Sequence, residues 1–166
     1  MNAGDKVILN GTIYTARDKA HKLLIEIMDR KEPLPFEIKD AVIYYSGPII
    51  SASSGRMTSA GPTTSSRMDN YTIQLLDAGV SGLIGKGSRS SEVTEALKTH
   101  KAVYFSAVGG AGVVLANRIK KYRIVAFQEL GLEAIYQLVV ENFPCYVTID
   151  TKGRVLSGEK QQHIRI

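Results

Sequence analysis

The feature that most constrains the fold is a regular alternation of strand-like and helix-like segments over residues 64–149. Short apolar runs predict strands at 82–85, 102–105, 123–127 and 145–149. Apolar residues at helical spacing predict helices at about 68–76, 93–97, 112–119 and 129–139. Such alternation is typical of layered α/β domains, in which helices cover a sheet of parallel strands. We therefore predict an α/β fold with a largely parallel central sheet.

The first fifty residues are predicted to add a hairpin, a helix and one further strand. Two β-rich runs, 7–9 and 12–14, flank an Asn-Gly pair at 10–11, which is the strongest short-range hairpin signal. Helical spacing of apolar residues predicts a helix over 20–28, and residues 41–45 predict the next strand. Because a hairpin joins antiparallel strands, we expect the central sheet to be mixed.

The composition suits one globular domain that spans residues 1–166, with 44% hydrophobic and 22% charged residues. No apolar run approaches the roughly 20 residues that a membrane span needs, and the N-terminal residues lack the pattern of a secretory signal. The single cysteine, Cys145, has no partner for an internal disulfide and cannot by itself hold a metal or a cluster. We therefore expect a cytoplasmic protein with no membrane partner and no metal site of its own.

The formal net charge of +5 comes from 21 basic and 16 acidic residues. Such a surplus can attract anions, from nucleic acid to small carboxylates. The basic residues are scattered, and their only dense group, within 118–123, is expected to flank a helix end, where the helix dipole favours cations. No RNA-binding aromatic motif or zinc-finger spacing is present, so we expect no nucleic-acid partner.

The densest group of candidate ligand-binding residues is the segment GPTTSSRMD, residues 61–69, which follows a long predicted loop at 49–62. Four consecutive hydroxyl residues, the first of them Thr63, precede a predicted helix, and Arg67 lies in its first turn. Free N–H groups of a first turn, hydroxyl donors and a guanidinium all favour an anion at one point. A capping box with the same spacing is the alternative, and both interpretations stay open.

Arg17 and Lys86 are further candidates for anion binding. Arg17 lies in the first turn of a predicted helix, where the helix dipole disfavours a cation unless another interaction compensates. Lys86 stands between two glycines directly after a predicted strand, a position that suits an ammonium group presented at the strand end. Arg89 is a further cation nearby, and a plain surface position remains the alternative for each of them. His21 is expected to be held by a neighbouring group.

A glycine-rich segment at 109–112 follows a predicted strand and precedes a predicted helix. It lacks the G-x-G-x-x-G spacing of a dinucleotide site, and the acidic residue expected about 20 positions later is missing. We therefore favour close packing of a strand and a helix at this segment over a nucleotide site.

Six stretches, in chain order, resemble the β subunits of class I fumarate hydratases and L(+)-tartrate dehydratases. They are GTIYTARDKAHKLL, YYSGP, GPTTSSRMDNYT, GLIGKGSRS, AVYFSAVGGAGVVLANRI and ELGLEAIYQLVVENFPCYVTID. The resemblance covers about residues 4–153, and the equivalent in single-chain class I fumarases is the C-terminal domain. It implies a swivelling β/β/α domain and a separate α subunit whose cysteines hold a 4Fe–4S cluster. The expected assembly is a heterodimer or heterotetramer, and a homodimer of the isolated chain is also allowed.

The resemblance also implies roles for four residues. Arg17, Arg67 and Lys86 would bind the carboxylates of a dicarboxylate substrate, and Thr63 would be catalytic, as a base or proton relay. The implied enzyme is a hydro-lyase, with the reversible conversion of (S)-malate to fumarate and water, a reaction of the tricarboxylic acid cycle, as the main expectation. Such a β subunit would be inactive without its α subunit.

Two alternative functions stay open at this point. One is dehydration of L(+)-tartrate by the same machinery, because Asn142 and the segment 49–58 depart from common versions of the family pattern. The other is a non-catalytic module that binds anions on its own.

Overall fold

The centre of the structure, a computed structural model that describes residues 1–107 and 111–156, is a six-stranded sheet. The strands are β1 (Lys6–Thr15), β2 (Val42–Tyr44), β3 (Ile49–Ile50), β4 (Met57–Ser59), β5 (Gly82–Gly85), β6 (Val103–Ser106), β7 (Ile119–Ala126) and β8 (Ile135–Ile149). The helices are α1 (Asp18–Asp29), α2 (Asp69–Asp77), α3 (Ser91–Thr99) and α4 (Gly112–Ala116), with 3-10 helices at Ser65–Met68 and Gln128–Glu133.

The strand order in the central sheet is β1-β2-β5-β6-β8-β7. Neighbours among β1, β2, β5 and β6 run parallel, whereas β8 runs antiparallel to β1, β6 and β7. Strand β8 is hydrogen bonded to both β1 and β6, so β1, β2, β5, β6 and β8 close into a ring. Strand β7 lies outside this ring and pairs with the first part of β8. The predicted α/β class with a mixed, mostly parallel sheet is confirmed.

Two apolar cores lie on the two faces of the sheet, and the strands contribute to them in alternation. Ile43 and Leu83 belong to the cluster beneath α1, α2 and α3, whereas their neighbours Tyr44 and Ile84 belong to the second cluster. All four side chains are fully buried. Successive strand residues point to opposite faces, so both faces of a covered strand are apolar, which explains the continuous apolar runs in the sequence.

The predicted hairpin at residues 10–11 is wrong. Strand β1 runs through this position and pairs with β8 on both sides of it, with a shift of register between Leu9 and Gly11. Gly11 takes up the irregularity with a φ of 118°, a conformation that glycine adopts readily. The Asn10 side chain accepts a hydrogen bond of 2.8 Å from the N–H of Asn142 on β8. The Asn-Gly pair is therefore part of a β-bulge and not of a turn.

The helix predicted at 129–139 is also wrong. A 3-10 helix occupies Gln128–Glu133, and Gly131 inside it has a non-helical conformation with φ of 58°. From Ile135 onward the chain belongs to β8, which pairs with β1 on one side and β7 on the other. This pairing with two neighbouring strands is tertiary, and it overrides the local pattern.

Two smaller predictions also need correction. The expected loop at 49–62 contains the short antiparallel pair β3 and β4. Helix α4 is only five residues long and β7 begins three residues after it, so most of the basic group within 118–123 lies on an exposed strand instead of a helix end. Two glycines of the glycine-rich segment, Gly109 and Gly110, lie outside the described residues.

The predicted helix over 20–28 is confirmed as α1, and the predicted strands at 41–45, 82–85 and 102–105 correspond to β2, β5 and β6. None of the helices within residues 1–107 and 111–156 is long and apolar enough to cross a bilayer.

Candidate functional site

The predicted anion-binding turn, residues 61–69, lies at the carboxyl ends of the parallel strands β2 and β5. Two hydrogen bonds attach it to the segment after β2: Thr63 N–H donates to the Tyr45 carbonyl at 2.7 Å, and the Ser46 hydroxyl donates to the Gly61 carbonyl at 2.9 Å. Across the 3-10 helix, Arg67 Nη1 donates to Thr63 Oγ1 at 3.2 Å. The candidate catalytic hydroxyl therefore touches a candidate carboxylate-binding guanidinium.

The start of α1 meets this turn through Asp18. Arg67 Nε donates to Asp18 Oδ1 at 3.2 Å, and Arg67 Nη2 donates to Asp18 Oδ2. A guanidinium bound in this forked manner has a fixed orientation. Since Asp18 directly follows Arg17, the N-terminus of α1 and the turn that carries Arg67 form one continuous surface. Asp18 was not predicted as a partner of the site, although the sequence places it directly beside Arg17.

Arg17 itself occupies the N-cap position of α1 and leans toward the 3-10 helix before β8. Its Nε lies 3.7 Å from Glu133 Oε1, and Lys19 Nζ lies 3.7 Å from the other oxygen of the same carboxylate. A Cβ at Gly47 would approach Arg17 Nη1 to 2.7 Å, so the missing side chain leaves room for the guanidinium. Glu133 explains how a cation is tolerated at a helix N-terminus, because a carboxylate offsets the unfavourable dipole.

Lys86 follows β5 and joins the site through its backbone. Its N–H donates to Ser65 Oγ at 3.0 Å, and its carbonyl accepts from the N–H of Ser65 at 2.9 Å. The side chain is exposed. The structure thus brings all four predicted residues to one edge of the sheet, on segments that follow β1, β4 and β5.

Positive charge is in excess at this edge. Two carboxylates stand among four cations, which leaves two positive charges without a counterion in this group. The cations are Arg17, Lys19, Arg67 and Lys86, and the carboxylates are Asp18 and Glu133. An excess of this size equals the charge of a dicarboxylate, so the surface is suited to attract one.

Beneath this edge, Arg89 forms a buried ion pair. It is therefore neither of the alternatives that the sequence left open, an anion-binding cation or a plain surface residue. Its side chain has no exposed surface, and Nε donates to Asp69 Oδ1 at 2.6 Å. Nη2 donates to Thr72 Oγ1 at 2.6 Å, and the guanidinium lies over the rings of Tyr45 and Tyr104. Arg89 is therefore a structural cation with no free face for a ligand.

The capping-box alternative for the turn is not realised. The Asp69 carboxylate accepts from Arg89 and from the N–H of Ser90 at 2.8 Å, and no side-chain cap is formed at the start of the 3-10 helix or of α2. The hydroxyl side chains of the run therefore do not cap the 3-10 helix or α2.

His21 lies under Arg17 and is fully buried. Its Nδ1 is 2.7 Å from the Arg17 carbonyl, which can only accept, so Nδ1 carries the proton. Burial lowers the pKa of His21 to about 4, although the bond to the Arg17 carbonyl acts in the opposite direction. The ring is therefore neutral near pH 7 and packs edge-on against Tyr45, as a histidine held by its neighbours.

Cys145 does not fit a cluster ligand in this chain. It is fully buried on β8 in the second core cluster, and burial raises the pKa of its thiol to about 12. Ligation requires thiolates at an accessible place, and iron–sulfur clusters take several of them. Across the described ranges, 1–107 and 111–156, the His, Cys, Asp and Glu side chains form no group of three or more that could hold a metal ion.

Known proteins are similar to this chain over most of its length. The model of the family described as "Fumarase C-terminus" matches residues 1–159. The class I aerobic fumarate hydratase of Salmonella typhimurium is 46% identical over 150 residues, which are 89% of this chain and 26% of that protein. The chain therefore spans about a quarter of the length of that relative.

Two relatives match along most of both chains. The putative L(+)-tartrate dehydratase subunit beta of Methanocaldococcus jannaschii is 38% identical over 170 residues, which cover 99% of this chain and 87% of that protein. The L(+)-tartrate dehydratase subunit beta of Escherichia coli is 32% identical over 167 residues, which cover 98% and 82%. The resemblance seen in the sequence is thereby confirmed, and the protein belongs to the Fumarase C-terminus family.

Proposed function

We propose that this chain is the β subunit of an iron–sulfur hydro-lyase and that it binds the two carboxylates of the substrate. The observation that carries the proposal is the convergence of Arg17, Arg67 and Lys86 beside Thr63 at one edge of the sheet. The excess of two positive charges at this edge matches a dianion. Family membership supports a hydro-lyase over other uses of such a cationic surface.

In this proposal Asp18 and Glu133 occupy the guanidinium groups until substrate arrives. Arg67 is half-exposed, so a substrate carboxylate can exchange with Asp18 or add to its free N–H groups at small cost. Arg17 holds its partner Glu133 more loosely, at 3.7 Å. Bound at two points, the substrate would present its central carbons in one orientation, and such orientation contributes strongly to rate.

Thr63 is proposed to take part in proton transfer. An alcohol is barely acidic near pH 7, so it needs a group that stabilises its deprotonated form. Arg67 donates a hydrogen bond to Thr63 Oγ1, and a cationic donor favours the charged form of its acceptor. The same arginine would then serve both the substrate and the hydroxyl.

The cluster belongs to the proposed partner and not to this chain, whose one cysteine is buried in the core. When bound in an α subunit, a 4Fe–4S cluster with an open iron supplies Lewis-acid chemistry for removal of the substrate hydroxyl. We propose a cytoplasmic heterodimer or heterotetramer in which this domain swivels to close the site against the α subunit. The exposed edge described above would face that subunit.

Fumarate hydration is our first choice of reaction, and L(+)-tartrate dehydration is the second. Relatives with identity above 40% are named fumarate hydratases. The tartrate dehydratase subunits favour the second choice by another criterion, because they match this chain along most of their own length.

The test is to coexpress the chain with a cysteine-rich α subunit, purify the complex without oxygen and assay it. We expect conversion of (S)-malate to fumarate, followed by ultraviolet absorbance, with a higher kcat/KM than for L(+)-tartrate. A preference for tartrate would select the second reaction. A complex that carries its cluster and converts neither substrate would contradict the proposal.

The non-catalytic alternative has its own measurement. Calorimetric titration of the chain alone with oligonucleotides or dicarboxylates detects binding that needs no partner. Tight and salt-sensitive binding of an oligonucleotide would favour the binding module, whereas the hydro-lyase proposal predicts that the chain alone binds neither tightly.

A further inference from the structure

We propose that Ser65 and Tyr104 are positioning residues, which hold the backbone of Lys86 against the turn that carries Thr63 and Arg67. Their effect would be to fix the distance between the backbone of Lys86 and the turn of Arg67, and thereby to limit how far apart the two cationic groups can lie. This inference rests on the proposed function, because the distance between two cations matters only if one ligand bridges them.

The Ser65 hydroxyl is the centre of this contact. Ser65 is completely buried, and its Oγ accepts the Lys86 N–H at 3.0 Å. The Tyr104 hydroxyl lies 2.9 Å from the same oxygen, and it also reaches the Gly87 carbonyl at 2.9 Å. Together with the bond from Ser65 N–H to the Lys86 carbonyl, both backbone groups of Lys86 are tied down.

The turn also packs directly on the backbone of β5. A Cβ at Gly85 would lie only 1.9 Å from Ser65 Oγ, so a residue with any side chain at this position would push the turn away. Gly85 is buried and its φ is not in the left-handed region, so space and not backbone conformation requires a glycine here.

The tyrosine that completes the contact is itself held by the buried ion pair. The Arg89 guanidinium lies 5.1 Å from the centre of the Tyr104 ring, and Arg89 binds Asp69, two residues after Arg67. The connection therefore runs from the segment of Lys86, through Tyr104 and Arg89, back to the helix that Arg67 precedes. A largely buried connection of hydrogen bonds and one cation–π contact keeps its geometry better than exposed side chains do.

This placement gives one hydroxyl residue of the turn, Ser65, a structural contact. Ser65 alone in the run is buried, whereas its neighbours Thr64 and Ser66 are exposed. Ser66 therefore provides a matched control: it has the same hydroxyl in the same turn, outside the contact with Lys86.

A double-mutant cycle in the α/β complex separates positioning from a merely structural role. The variants are Tyr104→Phe, which removes one hydroxyl and keeps the ring, Lys86→Ala, and the double variant. We expect Tyr104→Phe to raise KM for (S)-malate about three- to tenfold, with kcat changed less, because a neutral hydrogen bond contributes about that much. In the Lys86→Ala background Tyr104→Phe should alter KM less than about twofold, because the side chain that Tyr104 helps to position is then missing and the effects of coupled mutations do not add.

Three results would overturn the inference. The first is that Tyr104→Phe changes KM equally in the wild-type and Lys86→Ala backgrounds, and the second is that Lys86→Ala itself has a wild-type KM. The third is that the control Ser66→Ala changes KM as much as Tyr104→Phe does. A wild-type complex with its cluster but without hydro-lyase activity would instead contradict the proposed function.

A second measurement needs neither activity nor the cluster. Hydrogen exchange of the full chain, followed by NMR, reports the protection of the Lys86 N–H. We expect Ser65→Ala to speed exchange at this amide about tenfold while the amides of α3 keep their protection. Unchanged protection at Lys86 in Ser65→Ala would overturn the inference independently of any kinetics.

Discussion

Two arginine–aspartate pairs of this molecule have the same chemistry and opposite environments. Arg67 pairs with Asp18 and its side chain is 47% exposed, whereas Arg89 pairs with Asp69 and its side chain is not exposed at all. An exposed pair contributes little to stability, so its partner is exchangeable. A buried pair that loses one member leaves a charge without solvent or counterion, which costs several kcal/mol.

The comparison shows that the two arginines have different roles. The exposed guanidinium is available to a ligand, and the buried one keeps the surrounding elements in place. Arg89 reaches Tyr45 and Thr72 as well as Asp69, so it links the segment after β5 to α2 and to the segment after β2. The residue type alone could not distinguish these roles, whereas burial does.

The largest effect on stability is expected at the buried pair. Asp69→Ala should lower the free energy of unfolding by about 3–5 kcal/mol, because Arg89 keeps its charge without a carboxylate partner. Urea denaturation of the purified chain measures the change. Asp77→Ala, at an exposed aspartate near His100, is the matched control and should change little. A loss below about 1 kcal/mol for Asp69→Ala would show that the buried pair is not a structural element.

An intermediate effect, which depends on pH, is expected at His21 under the exposed pair. Its folded-state pKa is about 4, below the ordinary value of 6.5 for the unfolded chain. Above pH 6.5 both states are neutral, and between pH 6.5 and 4 the unfolded state binds the extra proton. Stability should therefore fall on acidification through this window, by on the order of 3 kcal/mol in total.

The measurement is the unfolding free energy at several pH values for the wild type and for His21→Gln. The variant should have a flatter dependence between pH 6.5 and 4, whereas His100→Gln, at a partly exposed histidine, serves as the control. Parallel curves for wild type and His21→Gln would contradict a buried neutral imidazole.

The smallest effect on stability is expected at the exposed pair. Asp18→Ala should change the free energy of unfolding by less than about 1 kcal/mol, because solvent replaces the lost partner of Arg67. The same urea titration applies. A loss of more than about 2 kcal/mol would mean that both pairs are structural, and the distinction between them would fail.

Local signals in the sequence predicted much of the fold. The helical spacing of apolar residues before Met28 and the short apolar runs of β5 and β6 depend on neighbours along the chain, and these elements are present. The two largest failures, the hairpin at Asn10 and the helix after Gln128, both involve β8. Its 15 residues supply a partner over the length of β1, and such long-range pairing leaves little trace in either strand alone.

In the candidate site too, local patterns were predicted from the sequence and long-range contacts were not. Arg67 was found because a turn of hydroxyl residues before a helix is a local pattern. The carboxylate partners of the two arginines, Asp18 for Arg67 and Glu133 for Arg17, were not predicted. Which carboxylate faces a cation depends on how distant segments pack. Arg89 differs from the exposed cations in being buried. The small and polar residues around it, GKGSRSS, gave no sign of this burial.

The central claim is that the exposed arginine binds the substrate, and the kinetics of Arg67→Ala in the α/β complex test it most directly. We expect kcat/KM for (S)-malate to fall at least about 100-fold while the complex still assembles, because a lost carboxylate anchor also loses the orientation of the reacting carbons. Arg30→Ala, at an exposed arginine paired with Glu32 near the end of α1, is the control and should keep wild-type kinetics. A kcat/KM within about threefold of wild type for Arg67→Ala would contradict this assignment.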